Sequence, residues 1–371
     1  MGVAVQRVAA AKQMEVRAMR KTYKFRLEPT AQQEQVLDRW LYLCRHLYNA
    51  MLEQRIIAWR QRRKSISRYD QMRELPGLKV EMPEYAEIGS QVLQDVAKRL
   101  DQSFQRFFKQ GAGFPKFQGR SRYNSLTYTQ VGWKIKDGRL ALSGCGTIKV
   151  RWSREMEGDI KTVTVTRRAG HWYVSFSCDN VPAPAYPTTE KTVGIDLGIE
   201  ALATTSDGER LENAQYLKRK LKHLRRIQRH LARQRKGSNR RGKTVRRLQR
   251  LHEKIANQRA DAHHKASTKL AREYAEIHME RLDPQFMLAN RRLARAASDV
   301  GWGQFTTFLQ SKAAAAGRKV IEKNPRNTSQ ECSGCGRLVP KKLHVRWHQC
   351  ECGTSLHRDH NAAIVILKRS A

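Results

Sequence analysis

Residues 192–199 read TVGIDLGI, an apolar run that contains a single acid, Asp196. A short apolar run of this kind is typical of a strand buried within a sheet. A charged side chain is costly to bury at such a place unless it serves a purpose, such as binding a cation. The run therefore predicts a strand of an α/β fold that carries a functional carboxylate, with a purely structural acid as the alternative.

Two more acids occupy positions that a catalytic carboxylate could use. Glu280 ends the apolar run AEIHME, and Asp359 lies in HRDHNAA at the start of the last predicted helix, where it could simply be an N-cap. Two-metal hydrolysis of phosphodiesters needs several carboxylates around ions that lie about 4 Å apart. An α/β sheet could gather a strand-borne Asp, a strand-end Glu and a helix-start Asp. The candidate catalytic residues are therefore Asp196, Glu280 and Asp359, although each taken alone could be structural.

Four of the seven cysteines fall close together near the end of the chain, as CSGC and CEC. Paired thiolates on two turns are the ligands of a tetrahedral zinc site, and a site whose four positions are filled by protein is structural. The candidate zinc ligands are Cys332, Cys335, Cys350 and Cys352. The second half is one residue shorter than usual, which leaves His348 as an alternative fourth ligand. Four unrelated buried thiols are the other interpretation.

The charge of the whole chain points to a polyanionic partner. Its 371 residues include 72 Lys and Arg against 34 Asp and Glu, a formal net charge of +38. Such self-repulsion is usually tolerated when a polyanion neutralises it, so we expect nucleic acid. An anionic membrane is the rival, but membrane-binding proteins concentrate their charge on one helix or tail. Here the charge runs along the chain and no apolar stretch of about eighteen residues exists, so we expect a cytoplasmic protein without a membrane span.

Residues 216–259 are strongly basic, with 18 Lys or Arg and one acid, Glu253. Two apolar stripes at helical spacing, separated by a break at residues 236–242, predict a helical hairpin. A two-sided row of cations could follow a heteroduplex backbone without reading its bases. The candidate nucleic-acid contacts are Lys218, Arg225, Arg226, Arg229, Arg233, Arg240, Arg241, Arg246, Arg247 and Arg250. A solvated charged face is the alternative.

A second candidate for nucleic-acid binding lies at residues 104–123, where aromatic and basic side chains interleave. The aromatics are Phe104, Phe107, Phe108, Phe114, Phe117 and Tyr123, and the cations are Arg106, Lys109, Lys116, Arg120 and Arg122. Aromatic rings beside cations can stack the bases of single strands. Several of the phenylalanines continue the apolar stripe of the preceding helix, so their spacing favours a place in the core over base stacking.

The first half of the chain is expected to combine a sheet with a helical insertion. Residues 21–29 alternate like a half-buried strand, and Thr30 with Gln33 forms a capping box that starts a helix. Helical spacing then continues to the glycines that follow residue 110, and strand patterns occupy residues 111–185. The first strand is expected to lie in the same small barrel or sandwich as the later ones.

Two segments are expected to lie outside these folded parts. Residues 1–20 are expected to form a disordered extension. The proline-rich residues 181–187, VPAPAYP, are typical of a linker between domains.

Several motifs, taken in this order, resemble those of the TnpB family, the compact transposon-encoded relatives of type V CRISPR effectors. They are GIDLGI, the ERL that follows an apolar strand, TSQECSGCG with CECG, and the closing HRDHNAA. The resemblance extends, with lower specificity, to YKFRLEPT near the start and to GFPKF at residues 113–117.

The resemblance implies a multidomain α/β protein in which an RNase H-like (RuvC) nuclease domain contains an embedded zinc ribbon, and a wedge-like β-barrel contains a helical recognition insertion. The expected bounds are 21–29 and 111–185 for the barrel, 30–110 for the insertion, 186–326 and 357–371 for the nuclease domain, and 327–356 for the ribbon.

It also implies an RNA-guided endonuclease that cuts double-stranded DNA, using a guide RNA from its own element and a target-adjacent motif. Asp196, Glu280 and Asp359 fall on the family's catalytic carboxylates, which implies two catalytic Mg²⁺ ions beside one structural Zn²⁺. A monomer in the ribonucleoprotein is expected. Two alternatives remain: a nuclease-inactive accessory or regulatory DNA-binding protein of a transposon, and an unguided RuvC-like nuclease specific for DNA structure.

Overall fold

The computed structural model describes residues 19–282, 289–290, 293–342 and 344–369. The chain divides into two compact units, Met1–Pro182 and Ala183–Ala371, and the division falls within the proline-rich stretch. No helix in the described ranges is both long and apolar enough to cross a membrane.

The first unit is built on a seven-stranded antiparallel sheet that is nearly closed into a barrel. Its strands are β1 (Met19–Glu28), β2 (Ser125–Tyr128), β3 (Trp133–Lys136), β4 (Arg139–Leu142), β5 (Gly146–Arg151), β6 (Asp159–Arg168) and β7 (His171–Val181), in the order β2-β6-β7-β1-β5-β4-β3. Strand β1 pairs with both β5 and β7, which confirms that it shares the sheet of the later strands. It begins at Met19, so two residues of the expected extension are strand, and residues 1–18 lie outside the described part.

Four helices separate β1 from β2. They are α1 (Ala31–Arg62), α2 (Arg68–Arg73), α3 (Leu75–Glu81) and α4 (Ser90–Gln110), with a 3₁₀ turn at Pro83–Tyr85. The predicted capping box is confirmed: the Thr30 hydroxyl accepts from the Gln33 amide at 3.3 Å, and the Gln33 side chain accepts from the Thr30 amide at 3.0 Å. In α4 the apolar stripe is buried as far as Leu100, but Phe108 is 70% exposed, so the end of the stripe leaves the core.

The second unit contains a five-stranded mixed sheet. Its strands are β8 (Thr192–Asp196), β9 (Ala201–Thr205), β10 (Arg210–Glu212), β11 (Glu276–Glu280) and β12 (Lys319–Lys323), in the order β10-β9-β8-β11-β12. Strands β8, β11 and β12 run parallel; β9 pairs antiparallel with β8, and β10 pairs antiparallel with β9. The predicted strand TVGID is therefore central, with buried Val193, Gly194 and Ile195.

The helices of this unit are α5 (Tyr216–Ala232), α6 (Asn239–Glu273), α7 (Ala294–Val300), α8 (Trp302–Ala315) and α9 (Arg358–Lys368), and a small hairpin pairs β13 (Trp347–Gln349) with β14 (Ser355–His357). The predicted hairpin of basic helices is present as α5 and α6. Its break is shorter than expected, because the Ser238 hydroxyl accepts from the Arg241 amide and starts α6, which places Gly242 inside the helix.

Helix α9 packs directly on β8 at Gly194. A Cβ atom built at Gly194 would overlap the carbonyl oxygen of Ala363 and lie 2.8 Å from the amide nitrogen of Leu367. Both neighbours are backbone atoms of α9, so no side-chain rotation could make room. The glycine is therefore needed because helix and strand approach each other closely.

We expect Gly194→Ala to lower the free energy of unfolding by about 1–3 kcal/mol, the usual effect of adding a methyl group to a filled contact. Urea unfolding followed by circular dichroism measures the change. Gly303→Ala in α8 is the matched control, since a Cβ there meets no heavy atom within 4 Å and should be neutral or slightly stabilising. Equal stabilities of Gly194→Ala and the native chain would contradict the close packing.

Candidate functional site

Asp196 and Glu280 end two neighbouring parallel strands. Asp196 is the last residue of β8 and Glu280 the last of β11, and the register pairs Ile195 with Met279 just before them. Parallel strands in register lie about 4.8 Å apart and point matching side chains to the same face. The two carboxylates therefore meet at the carboxyl edge of the sheet, where open α/β sheets place their ligands.

Asp359 reaches the same edge from α9. The N-cap of this helix is His357, whose Nδ1 accepts from the Asp359 amide at 3.2 Å, so Asp359 is not the cap that the sequence left as its structural alternative. Its carboxylate is 6% exposed, with Oδ1 3.4 Å from Nε of Arg358. The close packing of α9 on β8 carries this carboxylate to the end of the strand that bears Asp196.

The three acids interact electrostatically. Burial raises the pKa of Asp196 well above its usual range, and the negative charges of Glu280 and Asp359 raise it further, against the opposing effect of Arg358 and Arg346. Burial also raises the pKa of Glu280, although a hydrogen bond from Thr328 to its Oε1 and the charge of Arg369 oppose the rise. The neighbouring arginines therefore do not fully offset the burial and mutual repulsion of these carboxylates.

The donor chemistry of these carboxylates suits a divalent cation. Carboxylate oxygens are the ligands that hard cations such as Mg²⁺ take in proteins, and a bound cation would remove the repulsion that raises the pKa of Asp196. The sequence prediction that the fold gathers Asp196, Glu280 and Asp359 therefore agrees with their placement, while their catalytic role stays a prediction.

A second group near this edge was not predicted. Ligand atoms of Glu200, His357 and Asp359 lie within 4.8 Å of one another. Glu200 is already paired, with Oε1 3.2 Å from Arg210 and Oε2 3.5 Å from Arg346. The one feature of the sequence that could have indicated Glu200 is its position just after GIDLGI, which places it in a loop at the carboxyl end of the strand. The group adds a histidine and two arginine-paired oxygens to the surroundings of Asp359.

The four cysteines predicted to bind a metal converge. Sγ of Cys332 lies 3.6 Å from Sγ of Cys352, Sγ of Cys335 lies 3.6 Å from Sγ of Cys350, and all four sulfurs are within 4.8 Å of one another. A tetrahedron with Zn–S bonds of about 2.3 Å has sulfur–sulfur edges of about 3.8 Å. The spacing therefore fits one tetrahedral metal ion.

Both cysteines of the short C-x-C half belong to this group, and His348 does not. His348 is fully buried beside the sulfurs, with Nδ1 in contact with Nζ of Lys341. Burial alone would raise the pKa of the Cys332 thiol, but hydrogen bonds, the largest from the Cys335 backbone and the Thr354 side chain, lower it to about 5. Four cysteines supply a complete ligand set without His348.

Asn361 ties the cysteine turns to α9. Its Oδ1 accepts from the amide of Ser333, within the CSGC turn, at 2.9 Å, and its Nδ2 donates to the carbonyl of Glu331 at 2.6 Å. Lys368 adds a hydrogen bond to the Ser333 carbonyl at 2.6 Å. Asn361 is fully buried and lies two residues after Asp359, so the same helix turn that carries the acid is attached to the metal-binding turn.

The basic hairpin presents its cations to solvent. Nine of the ten candidate nucleic-acid contacts are exposed, and Arg241 is half-buried. Within the described ranges none of the ten forms an ion pair with a carboxylate. Buried Leu224 and Ile227 of α5 and Ile255 of α6 face inward, which leaves the charged faces outside. A phosphate backbone could be bound there, and this role stays a prediction.

Comparison with known sequences agrees with this arrangement. The sequence model of the OrfB_IS605 family, described as "Probable transposase", matches residues 175–291, and that of the "Cas12f1-like, TNB domain" matches residues 302–366. A third model, "Helix-turn-helix domain", matches residues 19–64, where the structure has β1 and the single long helix α1.

A relative from Streptomyces pristinaespiralis, whose name proposes an RNA-guided DNA endonuclease, is 36% identical over 94% of this chain and 89% of its own. The "TnpB-like protein L79" of Acanthamoeba polyphaga mimivirus is 30% identical over 35% of this chain and 26% of its own. The chain belongs to the TnpB family.

Another relative is InsQ of Escherichia coli K12, whose name also proposes an RNA-guided DNA endonuclease. It is 32% identical over 85% of this chain and 83% of its own. Among solved structures, the Cas12f1 chain of a Cas12f1–sgRNA–target DNA complex superposes with a TM-score of 0.60 over 95% of this chain and 99% of its own, at 12% sequence identity. At that identity the likeness establishes the fold, an α/β architecture shared by this TnpB chain and Cas12f1.

We expect Asp196→Asn to raise the free energy of unfolding near pH 7 in the presence of EDTA, because it removes a partly buried charge that is repelled by two others. Below about pH 4, the usual pKa of an aspartate, the carboxyl is protonated in folded and unfolded chains alike, so the gain should vanish. The gain should grow from about pH 4 until the pH passes the raised pKa of the folded protein, and then level off. Urea unfolding across pH 4–8 measures it. Asp261→Asn, an exposed change on α6, is the control and should show no such trend; a gain independent of pH would contradict the assignment.

We expect Asn361→Ala to lower the free energy of unfolding by at least about 2 kcal/mol, because it leaves the Ser333 amide and the Glu331 carbonyl without buried partners. Thermal and urea unfolding measure the effect. Asn257→Ala, on the exposed face of α6, is the control and should change stability by less than about 0.5 kcal/mol. Similar stabilities of the two variants would mean that the hydrogen bonds of Asn361 to the cysteine turn do not contribute to the free energy of unfolding.

Proposed function

We propose that this TnpB protein is an RNA-guided endonuclease that cuts double-stranded DNA by metal-dependent hydrolysis of phosphodiesters. The observation that carries the proposal is the position of the partly buried Asp196 at one sheet edge, where desolvation and the charges of Glu280 and Asp359 raise its pKa. The names of the Streptomyces and Escherichia relatives, which cover most of the chain, support the guided nuclease role.

The proposed nuclease domain is RNase H-like, of the RuvC kind, and comprises residues 186–326 and 357–371. Asp196, Glu280 and Asp359 would hold two Mg²⁺ ions. When bound, such ions supply a water of lowered pKa and neutralise charge on the leaving oxygen. The hydrogen bond from Thr328 fixes the orientation of the Glu280 carboxylate.

Arginines beside these acids suit an anionic substrate. Arg358 lies against Asp359, and Arg346 is held by Glu200 at 3.5 Å. Their charges already lower the pKa of Asp196, and they could also bind the phosphates that flank the scissile bond.

The cysteine cluster would hold one structural Zn²⁺ within a ribbon at residues 327–356. Four thiolates complete the coordination of zinc, so no position remains open for catalysis. The ribbon would instead hold the start of α9 in place through Asn361.

The nucleic-acid partners proposed are a guide RNA from the protein's own element and the double-stranded target. The basic hairpin at residues 216–259 would follow the backbone of the guide–target heteroduplex, and base pairing would select the sequence. The barrel (21–29 and 111–185) and the helical insertion (30–110) would hold the scaffold RNA and the target-adjacent duplex, in a ribonucleoprotein with one copy of the chain.

RNA that copurifies with the protein tests the guided function. The chain is expressed with its native flanking DNA, purified through high salt, and the bound RNA is sequenced. One RNA with a constant scaffold and a 3′ end that runs into flanking DNA would establish a guide. A mixture of cellular RNA fragments would contradict the guided function and favour an unguided nuclease or an accessory protein.

We expect Asp196→Ala to lower Mg²⁺-dependent cleavage of a matched target at least about a hundredfold while RNA and DNA binding is retained, because the acid contacts the reacting centre and not the duplex. Single-turnover cleavage and filter binding measure the two effects separately. Asp261→Ala is the control and should cleave normally. Cleavage by Asp196→Ala at the native rate would remove this residue from the active site.

A further inference from the structure

A patch of exposed phenylalanines lies in the first unit, where α4 ends. Phe108, Phe114 and Phe117 are 70%, 47% and 53% exposed; these three rings are called the phenylalanine patch below. Large apolar rings that are grouped on a surface are typical of a binding site, since each costs free energy when it is left in water.

Neighbouring rings hold part of the patch in a defined geometry. Phe114 meets Phe104 and Phe107 edge to face, with centroids 5.6 and 5.4 Å apart, and Phe108 lies 5.1 Å from Phe107 and stacks on Phe104 at 6.1 Å. Edge-to-face and stacked pairs of this kind are favourable. The two half-buried rings therefore support the exposed ones from beneath.

The backbone that presents Phe114 and Phe117 is also anchored. Asn49 of α1 clamps the main chain at Gln118, with Oδ1 accepting from the Gln118 amide at 2.7 Å and Nδ2 donating to the Gln118 carbonyl at 3.2 Å. Pro115, between the two exposed phenylalanines, is buried. Because the loop is anchored at Pro115 and Gln118, the fold itself directs the rings of Phe114 and Phe117 toward solvent.

The segment that carries the patch has only positive charges of its own. Five exposed cations share the segment: Arg106, Lys109, Lys116, Arg120 and Arg122. Residues 102–136 contain no Asp or Glu, and within the part of the chain that the structure describes none of the five forms an ion pair. These cations favour an occupant that is anionic and can also cover flat rings.

We propose that the phenylalanine patch stacks unpaired nucleobases while the cations around it bind the adjoining phosphates. Every nucleobase has a π-face, so rings beside cations bind single strands with little sequence preference. The inference rests on the proposed function, to which it adds a site for an unpaired stretch of the RNA or of the opened DNA. A second copy of the chain would oppose like charges across a symmetric contact, and is disfavoured for that reason.

The test compares ring removal with charge removal in the full-length protein, purified free of RNA. The variant Phe108→Leu/Phe117→Leu keeps apolar bulk but loses two aromatic faces. Fluorescence anisotropy measures its affinity for unstructured 12-nucleotide U-rich RNA, for the equivalent T-rich DNA and for a hairpin duplex, in salt high enough to suppress phosphate contacts. We expect about tenfold weaker binding of one or both single strands, from the loss of base stacking, and unchanged binding of the duplex.

Two controls separate the contributions. Tyr42→Leu removes a ring of similar exposure, 52%, outside the patch and should leave single-strand affinity unchanged. Lys109→Ala should lower affinity mainly at low salt and reduce the slope of binding against salt concentration, as expected for a phosphate contact. The arm that weakens, RNA or DNA, identifies the source of the unpaired bases.

The proposal is overturned if the double leucine variant binds both single strands as tightly as the native chain does. It is equally overturned if the variant loses affinity only for anionic phospholipid vesicles, or if it changes only the oligomeric state in light scattering. Because none of these measurements uses cleavage, a protein that cuts target DNA normally and shows no stacking would reject this site alone. A protein that stacks single strands but carries no guide RNA would instead reject the proposed function.

Discussion

The backbone contact between α9 and β8 at Gly194 is the constraint on which the second unit depends. Because no side chain separates them, strand and helix approach closely. Asp196 at the strand end and Asp359 at the helix start therefore repel each other electrostatically. The same helix carries Asn361, which binds the cysteine turn through two buried hydrogen bonds. A single helix placement therefore positions the acidic edge and the cysteine turn together.

Two opposite electrostatic problems coexist in the molecule. The chain as a whole carries a formal net charge of +38, whereas its sheet edge concentrates carboxylates that repel one another. In the proposed function each problem would be relieved by a different partner: a nucleic acid would neutralise the exposed cations of the hairpin, and divalent cations would neutralise the acids. A phosphodiester held over bound cations would then bring both partners to one place.

Local patterns predicted much of this arrangement, and their errors are informative. The capping box at Thr30 and the strand at Asp196 depend on neighbours in sequence and were predicted correctly. The apolar stripe of α4 suggested a core position for Phe108, yet the ring lies outside, because a helix can extend past the body against which it packs. Gly242 suggested a break but lies inside α6, since the Ser238 cap starts the helix before it.

By itself, the sequence determined which residues could do chemistry: three acids in strand or helix-start contexts, four cysteines in two closely spaced pairs, and rows of cations with few acids among them. It did so because residue type and short-range periodicity are local properties. Only the tertiary structure decided that Glu280 lies beside Asp196 through strand register, that Cys352 rather than His348 completes the sulfur cluster, and that Glu200 and His357 lie next to Asp359. Those placements depend on contacts between residues far apart in the chain, which no local pattern specifies.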